Sequence, residues 1–209
     1  MSGAVLVAAL LTACTGHPPA PQSSSLPSET SVPAVTAATT SAKPPRPAGP
    51  SGPRCAELLA TTTTEELSGL PVATAVSRLP ALSVFSRAVT TVPGLADALD
   101  HAPAVTVLVP QDSAWEALPE VWSPSPPGPP DELGAVLQHH VVRGRHSLDG
   151  ILEVTELTMI DGGSVTVSED SDLPTFTDAG DDTAHTLCGD IPTANGTVVV
   201  IDRVLRTDR

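Results

Sequence analysis

Leu82, Phe85, Val89 and Val92 recur at i, i+3, i+7 and i+10, the spacing of one apolar helical face. Pro93-Gly94 ends that helix, and Leu95, Ala98 and Leu99 predict a second short one. Val105-Thr-Val-Leu-Val109 is five residues long, β-branched and nearly all apolar, which predicts a buried strand closed by Pro110. Asp112 or Ser113 then caps the next turn, with Glu116 completing a capping box for Ser113 and with Trp115 and Leu118 facing inward. Ser123 to Pro130, which holds five prolines and a glycine, reads as a surface loop. Asp131 and Glu132 follow, well placed for the N-terminus of a helix. Leu133, Val136, Leu137 and His140 lie on one face of that helix, and its phase turns His139 toward solvent. Strands are predicted over 153–160, 164–168, 183–188 and 197–205. A turn is expected at Asp161-Gly162-Gly163, and another at Asn195-Gly196 before Val198-Val-Val-Ile201.

The start of the chain follows another pattern. Residues 3–11 form an apolar run too short to span a bilayer as a helix, and they read as the core of a signal peptide. Leu11-Thr-Ala-Cys14 resembles the lipobox of bacterial lipoproteins, which implies cleavage before Cys14 and lipidation of its thiol. Multiple acyl chains would anchor the chain stably. Residues 15–54 hold ten prolines and twelve Ser/Thr, with almost no large apolar side chain. Such a segment cannot offset its chain entropy by burial and is expected to be a disordered tether. Its reach lies between roughly 35 Å as a coil and about 120 Å fully extended. About 150 residues remain, enough for one domain with its own core.

Charge narrows the function further. The formal net charge is −14, and Lys43, Arg46 and Arg54 in the tether are opposed only by Glu29, so the rest of the chain is more acidic still. That surface repels phosphate backbones, and Phe85, Trp115, Trp122 and Phe176 are too few rings for a base-stacking platform. Nucleic acid is therefore not an expected partner.

Candidate chemistry is sparse. Adjacent His139 and His140 point about 100° apart on a helix, a poor zinc pair, so His140 reads as a hydrogen-bonded core residue. The run Glu169, Asp170, Asp172, Asp178, Asp181 and Asp182 lacks the ligand order of a calcium loop and reads as a solvated hairpin loop. Gly162-Gly-Ser-Val-Thr166 lacks the second glycine of a nucleophile elbow, and no phosphate-cradling or dinucleotide fingerprint occurs. Asp112 is read as a cap and Asp202 as a structural carboxylate. Asn195-Gly-Thr197 is formally a glycosylation sequon but reads more simply as a turn. No catalytic residue, cofactor or metal is expected.

Three segments in order carry a family resemblance. Thr106-Val-Leu-Val-Pro-Gln-Asp-Ser-Ala-Trp115 resembles the first motif of fasciclin domains, with Gln111 and Trp115 where Thr and Phe are usual. Leu137-Gln-His-His-Val-Val-Arg-Gly144 resembles the central Tyr-His segment, with His139 in the tyrosine position. Ala194-Asn-Gly-Thr-Val-Val-Val-Ile-Asp-Arg-Val-Leu205 resembles the second motif. Gly52-Pro-Arg-Cys55, Pro71-Val-Ala-Thr-Ala-Val-Ser77 and Cys188-Gly look like the mycobacterial secreted and lipid-anchored members.

The resemblance implies an α+β fold, a wedge of two β-sheets with helices packed on one side, and a disulfide between Cys55 and Cys188. An export compartment in which disulfides persist agrees with that pairing. It also implies a role in adhesion, with His139 as a candidate contact. The chain thus divides into a signal peptide (1–13), a lipidated Cys14 with its tether (14–54) and a fasciclin domain (55–209). The expected protein is a monomeric, non-enzymatic adhesion module on the extracytoplasmic face of the cell membrane. Its partner would be a protein or polysaccharide of the cell surface or matrix. The alternative is a capture protein for a small lipid or iron-bearing ligand held at the sheet–helix wedge.

Overall fold

A computed structural model describes residues 46, 48–116, 118 and 130–207. The expected signal peptide, Cys14, most of the expected tether and residues 123–129 of the proline-rich loop lie outside the described residues. Three short helices come first, α1 (Cys55–Leu58), α2 (Thr64–Ser68) and α3 (Val72–Val76), followed by α4 (Ser83–Thr91) and α5 (Leu95–His101). Strand β1 (Val105–Pro110) leads into α6 (Asp112–Trp115) and α7 (Pro130–Gln138). The second half comprises β2 (Val141–Arg143), α8 (Leu148–Leu152), β3 (Glu156–Thr158), β4 (Ser164–Asp170), β5 (Leu173–Thr177), β6 (Thr183–Pro192) and β7 (Gly196–Ile201).

Seven strands run in the order β2-β1-β7-β6-β5-β4-β3, with β1 and β7 parallel and all other neighbours antiparallel. Strand β6 serves both halves of the wedge. Residues 183–185 pair with β5, and the part from Thr186 to Pro192 pairs with β7 through two register shifts. Such irregularities bend a strand and raise its twist. The sheet curls until its outer strands nearly meet, where Val142 bridges Met159 and Ile160 N–H donates to the Val141 carbonyl at 2.8 Å.

Alternation along the central strands feeds two cores. From β1 and β7, Val107, Val109, Val198 and Val200 face a core shared with helices α1–α7. Leu108, Val199 and Ile201 face the opposite way, into a second core with Val165, Val167 and Phe176. This two-faced burial explains why β1 and β7 read as unbroken apolar runs, whereas β4 alternates between buried and exposed positions. The expected packing of helices on one side holds for α1–α7. Helix α8 departs from it, inserting Leu148 and Ile151 into the second core.

The disulfide is present. Cys55 and Cys188 are bonded with their Cα atoms 4.8 Å apart. The folded unit also reaches upstream of residue 55, into the segment assigned to the tether. Ser51 and Gly189 exchange both backbone hydrogen bonds, at 3.0 and 2.8 Å, and Arg54 N–H donates to the Leu187 carbonyl. The reason is an unfilled edge: β5 pairs with β6 only up to His185, so residues 187–189 offer free backbone groups that the incoming strap satisfies. Gly52 lies so close to Leu187 and Cys188 that any Cβ there would overlap their backbone.

Candidate functional site

Helix α7 ends at Gln138, one residue before the histidine pair. His139 still donates its backbone N–H to the Ala135 carbonyl at 3.0 Å, so the helical phase reaches it, but the turn between β3 and β4 covers the side that would otherwise face solvent. His139 is 2 % exposed, a correction to the expected solvent-facing contact. Its Nδ1 lies 3.0 Å from Asp161 Oδ2, beneath the turn that joins β3 to β4. The other Asp161 oxygen accepts the Gly163 N–H at 3.0 Å, and a Cβ on Gly163 would come within 2.7 Å of the His139 ring. The pair of glycines is thus needed twice, since Gly162 adopts φ +89° and Gly163 leaves room for the imidazole.

His140 is fully buried, as its apolar phase predicts. Nδ1 donates to the Val136 carbonyl at 2.7 Å, and Nε2 accepts from Leu205 N–H at 3.0 Å. The Phe85 ring meets it edge-on, with centroids 6.3 Å apart. One imidazole thereby joins α7, α4 and the segment after β7. Burial pushes its pKa down to about 4, outweighing the Val136 hydrogen bond, so the ring is neutral in the fold. The unfolded chain takes up a proton near pH 6.5 and the folded chain only near 4. Stability is therefore complete above about pH 6.5 and falls as the pH drops toward 4, by about 3 kcal/mol from this group. Urea melts at pH 7 and 4.5 should show that loss, and His140→Gln should reduce it. An equal acid loss in the variant would show that His140 does not carry it.

Its buried position gives His139 a part in stability. His139→Ala leaves the buried Asp161 carboxylate without its ring partner and is expected to cost about 1–3 kcal/mol. A change in the urea midpoint too small to measure would contradict that.

The other singled-out carboxylates hold the fold. Asp112 does not cap its own helix, and neither does Ser113; α6 carries no side-chain cap. Asp112 reaches across to α4, where it accepts from Ser83 Oγ at 2.7 Å and Val84 N–H at 2.8 Å. The first turn of α4 has no cap of its own, so the long-range partner replaces the local one. Asp202 follows the end of β7 and accepts His185 N–H at 2.7 Å, tying β6 to the last strand.

The acidic run is not one loop. Strand β5 divides it into the β4–β5 turn, where Ser171 and Asp172 have positive φ, and the β5–β6 turn. Asp178 is buried, accepting Gly180 N–H and Asp182 N–H through one oxygen and Arg206 N–H through the other. Among the described residues no group of three His, Cys, Asp or Glu side chains is placed to hold a metal ion.

Asn195, read only as a turn residue, joins three elements. Its Oδ1 accepts Val72 N–H at 2.9 Å, and its Nδ2 donates to the carbonyls of Leu99, Asp100 and Ala102 at 2.8, 3.3 and 2.9 Å. The nitrogen that a glycan would need is committed to the α3–α5 junction. At Gly196 a Cβ would overlap the Val105 carbonyl, so this glycine permits the close parallel start of β1 and β7. Arg145 completes the junction by donating to the carbonyls of Gly196, Thr193 and Ala194. The Asn-Gly dipeptide was the one visible signal for this clasp, and it points only to the backbone turn.

Comparison with known proteins agrees with this architecture. The family model of the fasciclin domain matches residues 80–207, more than half of the chain. Among curated proteins none matches. A solved structure of a FAS1 domain pair from the insect cell adhesion molecule fasciclin I is similar with a TM-score of 0.56 at 17 % identity. The likeness covers 66 % of this chain and 51 % of that one, so the chain spans about half the length of its structural relative. The likeness extends to the fold alone, while the family-model match covers the three motifs from β1 to the end of β7, and the chain belongs to the fasciclin domain family.

Proposed function

We propose that the protein is a lipid-anchored adhesion module of a bacterial cell envelope, acting by binding and not by catalysis. Fasciclin domains are adhesion-type modules, and membership of that family carries the reading. The fate of the polar side chains supports it. His140, Asp112, Asp178, Asn195 and Asp202 are each spent on hydrogen bonds that join secondary-structure elements. Between the sheet and the helices the described apolar side chains pack into two cores.

Anchoring falls to Cys14, because Cys55 and Cys188 are already joined. No helix among the described residues is long and apolar enough to cross a membrane. The full-length protein expressed in a bacterium should partition into detergent, with an N-terminal peptide that begins at an acylated Cys14. Cys14→Ala should move the protein to the aqueous phase or leave it unprocessed. A soluble wild-type protein with a free Cys14 thiol would end the anchor reading.

A further inference from the structure

The α1–α2 connection, α2 and the exit of α3 enclose an open groove of about 610 Å³, lined by Thr61, Thr62, Glu66, Leu70 and Arg78. That size lies within the range of small-ligand sites, roughly 300–1,000 Å³. The groove has fixed walls. Thr62 Oγ1 donates to the Arg78 carbonyl at 3.3 Å, tying the loop before α2 to the end of α3. Glu66 is held by the capping box of α2, its Oε2 accepting Thr63 N–H at 2.9 Å and Thr63 Oγ1 at 3.0 Å. Those hydrogen bonds keep its carboxyl below the usual range, so it is ionised at neutral pH. Among the described residues its Oε1 has no hydrogen-bond donor, and the exposed Arg78 guanidinium, near enough to act on Glu66, makes neither a hydrogen bond nor an ion pair.

We infer that this groove binds a short stretch of a neutral polysaccharide, which names a ligand class for the adhesion function proposed above and rests on that reading. Its polar groups match the hydroxyls of a sugar ring. Arg78 donates, Glu66 Oε1 accepts, the Thr61 hydroxyl can do either, the Thr62 hydroxyl, whose proton goes to the Arg78 carbonyl, accepts, and half-buried Leu70 offers an apolar patch for ring C–H groups. The guanidinium and the carboxylate cancel within the groove, so neither sign of ligand gains there. The −14 charge of the whole chain repels acidic polymers. With no aromatic ring in the lining, affinity per site is modest, in the millimolar range of about −4 kcal/mol. Many copies displayed on one surface would raise it through multivalency.

Saturation-transfer NMR on the detergent-solubilised full-length protein tests the inference. The probes are neutral trisaccharides of gluco, manno and galacto configuration, with a uronic-acid trisaccharide as comparison. At least one neutral sugar should bind, and Arg78→Gln should weaken it at least about tenfold. The melting temperature should not move, because among the described residues the Arg78 side chain makes no hydrogen bond or ion pair. Failure of all three neutral sugars to bind, equal binding by the variant, or tighter binding of the uronic-acid probe would overturn the assignment. Cells displaying Arg78→Gln separate this failure from that of the adhesion reading. Undiminished adhesion by them sinks the groove alone, whereas a wild-type protein that confers no adhesion sinks the function itself.

Discussion

Loss of the Cys55–Cys188 bond should cost the domain roughly 5 kcal/mol, the chain-entropy value for a loop as long as the 133 residues it closes. Domains of this size have a total stability of about 5–15 kcal/mol, so the bond represents a large share. Its position adds to its weight. Cys188 is fully buried in the helix-side core, and the strap before Cys55 pairs with the edge of β6 through Ser51 and Arg54. Without the cross-link, the described residues of that strap and α1 are held by a few backbone hydrogen bonds, the Arg54–Gln111 hydrogen bond and the packing of Leu58 and Leu59. The double variant Cys55→Ser, Cys188→Ser should melt about 10–20 °C lower than the oxidised protein. Its strand and helix content in the cold should be preserved, because neither core is built on the cysteines alone. A difference within 2 °C would show that the bond contributes little.

Substitution of Asn195 is expected to have the second largest effect, about 4 kcal/mol for Asn195→Ala. Four hydrogen bonds go at once, to Val72 N–H and to the carbonyls of Leu99, Asp100 and Ala102, and of these the Leu99 carbonyl keeps the Ala102 N–H. Asn195→Asp separates this role from turn formation. Asp-Gly suits a tight turn as well as Asn-Gly does. An aspartate keeps the acceptor for Val72 but sets a carboxylate against three carbonyl oxygens, so it should destabilise at least as much as alanine does. A near-neutral Asn195→Asp would mean that residue 195 matters only through its turn. Equilibrium urea unfolding at pH 7 of the three proteins decides between the two.

The legible parts of this fold are those where one element supplies its own signal. Helix α4 shows its 3.6-residue period, with Leu82, Phe85 and Val89 all buried and Val92 half-buried. Strands β1 and β7 show as β-branched runs because both of their faces are covered. Short elements leave no period to read: α1, α2 and α3 have only four or five residues each, and β2 has three. Strand β5 is masked by Pro174 and by the acidic turns on either side. Its proline is tolerated with its carbonyl accepting the Thr186 hydroxyl.

The ends of elements are set by contacts distant in sequence. Strand β7 stops at Ile201 instead of 205, because Asp202 turns back to His185 and Leu205 is drawn to His140. His139 is turned by the phase of α7 toward the side that solvent would otherwise reach, and the β3–β4 turn covers that side. Its true surroundings depend on Asp161, whose contact crosses 22 positions of sequence. The clasps of Asp112 on α4 and Asn195 on α3 and α5 are longer-range still, and no local pattern encodes them.

The adhesion reading is tested most directly by counting bacteria that remain on polysaccharide- and matrix-protein-coated surfaces under flow. Strains carrying the full-length protein, its Cys14→Ala form, or neither are compared at equal expression. The wild-type protein should raise retention on at least one coating, and Cys14→Ala should return it to the level of the strain lacking the protein. Equal retention of all three strains on every coating would contradict the assignment of this chain as a lipid-anchored surface adhesion module.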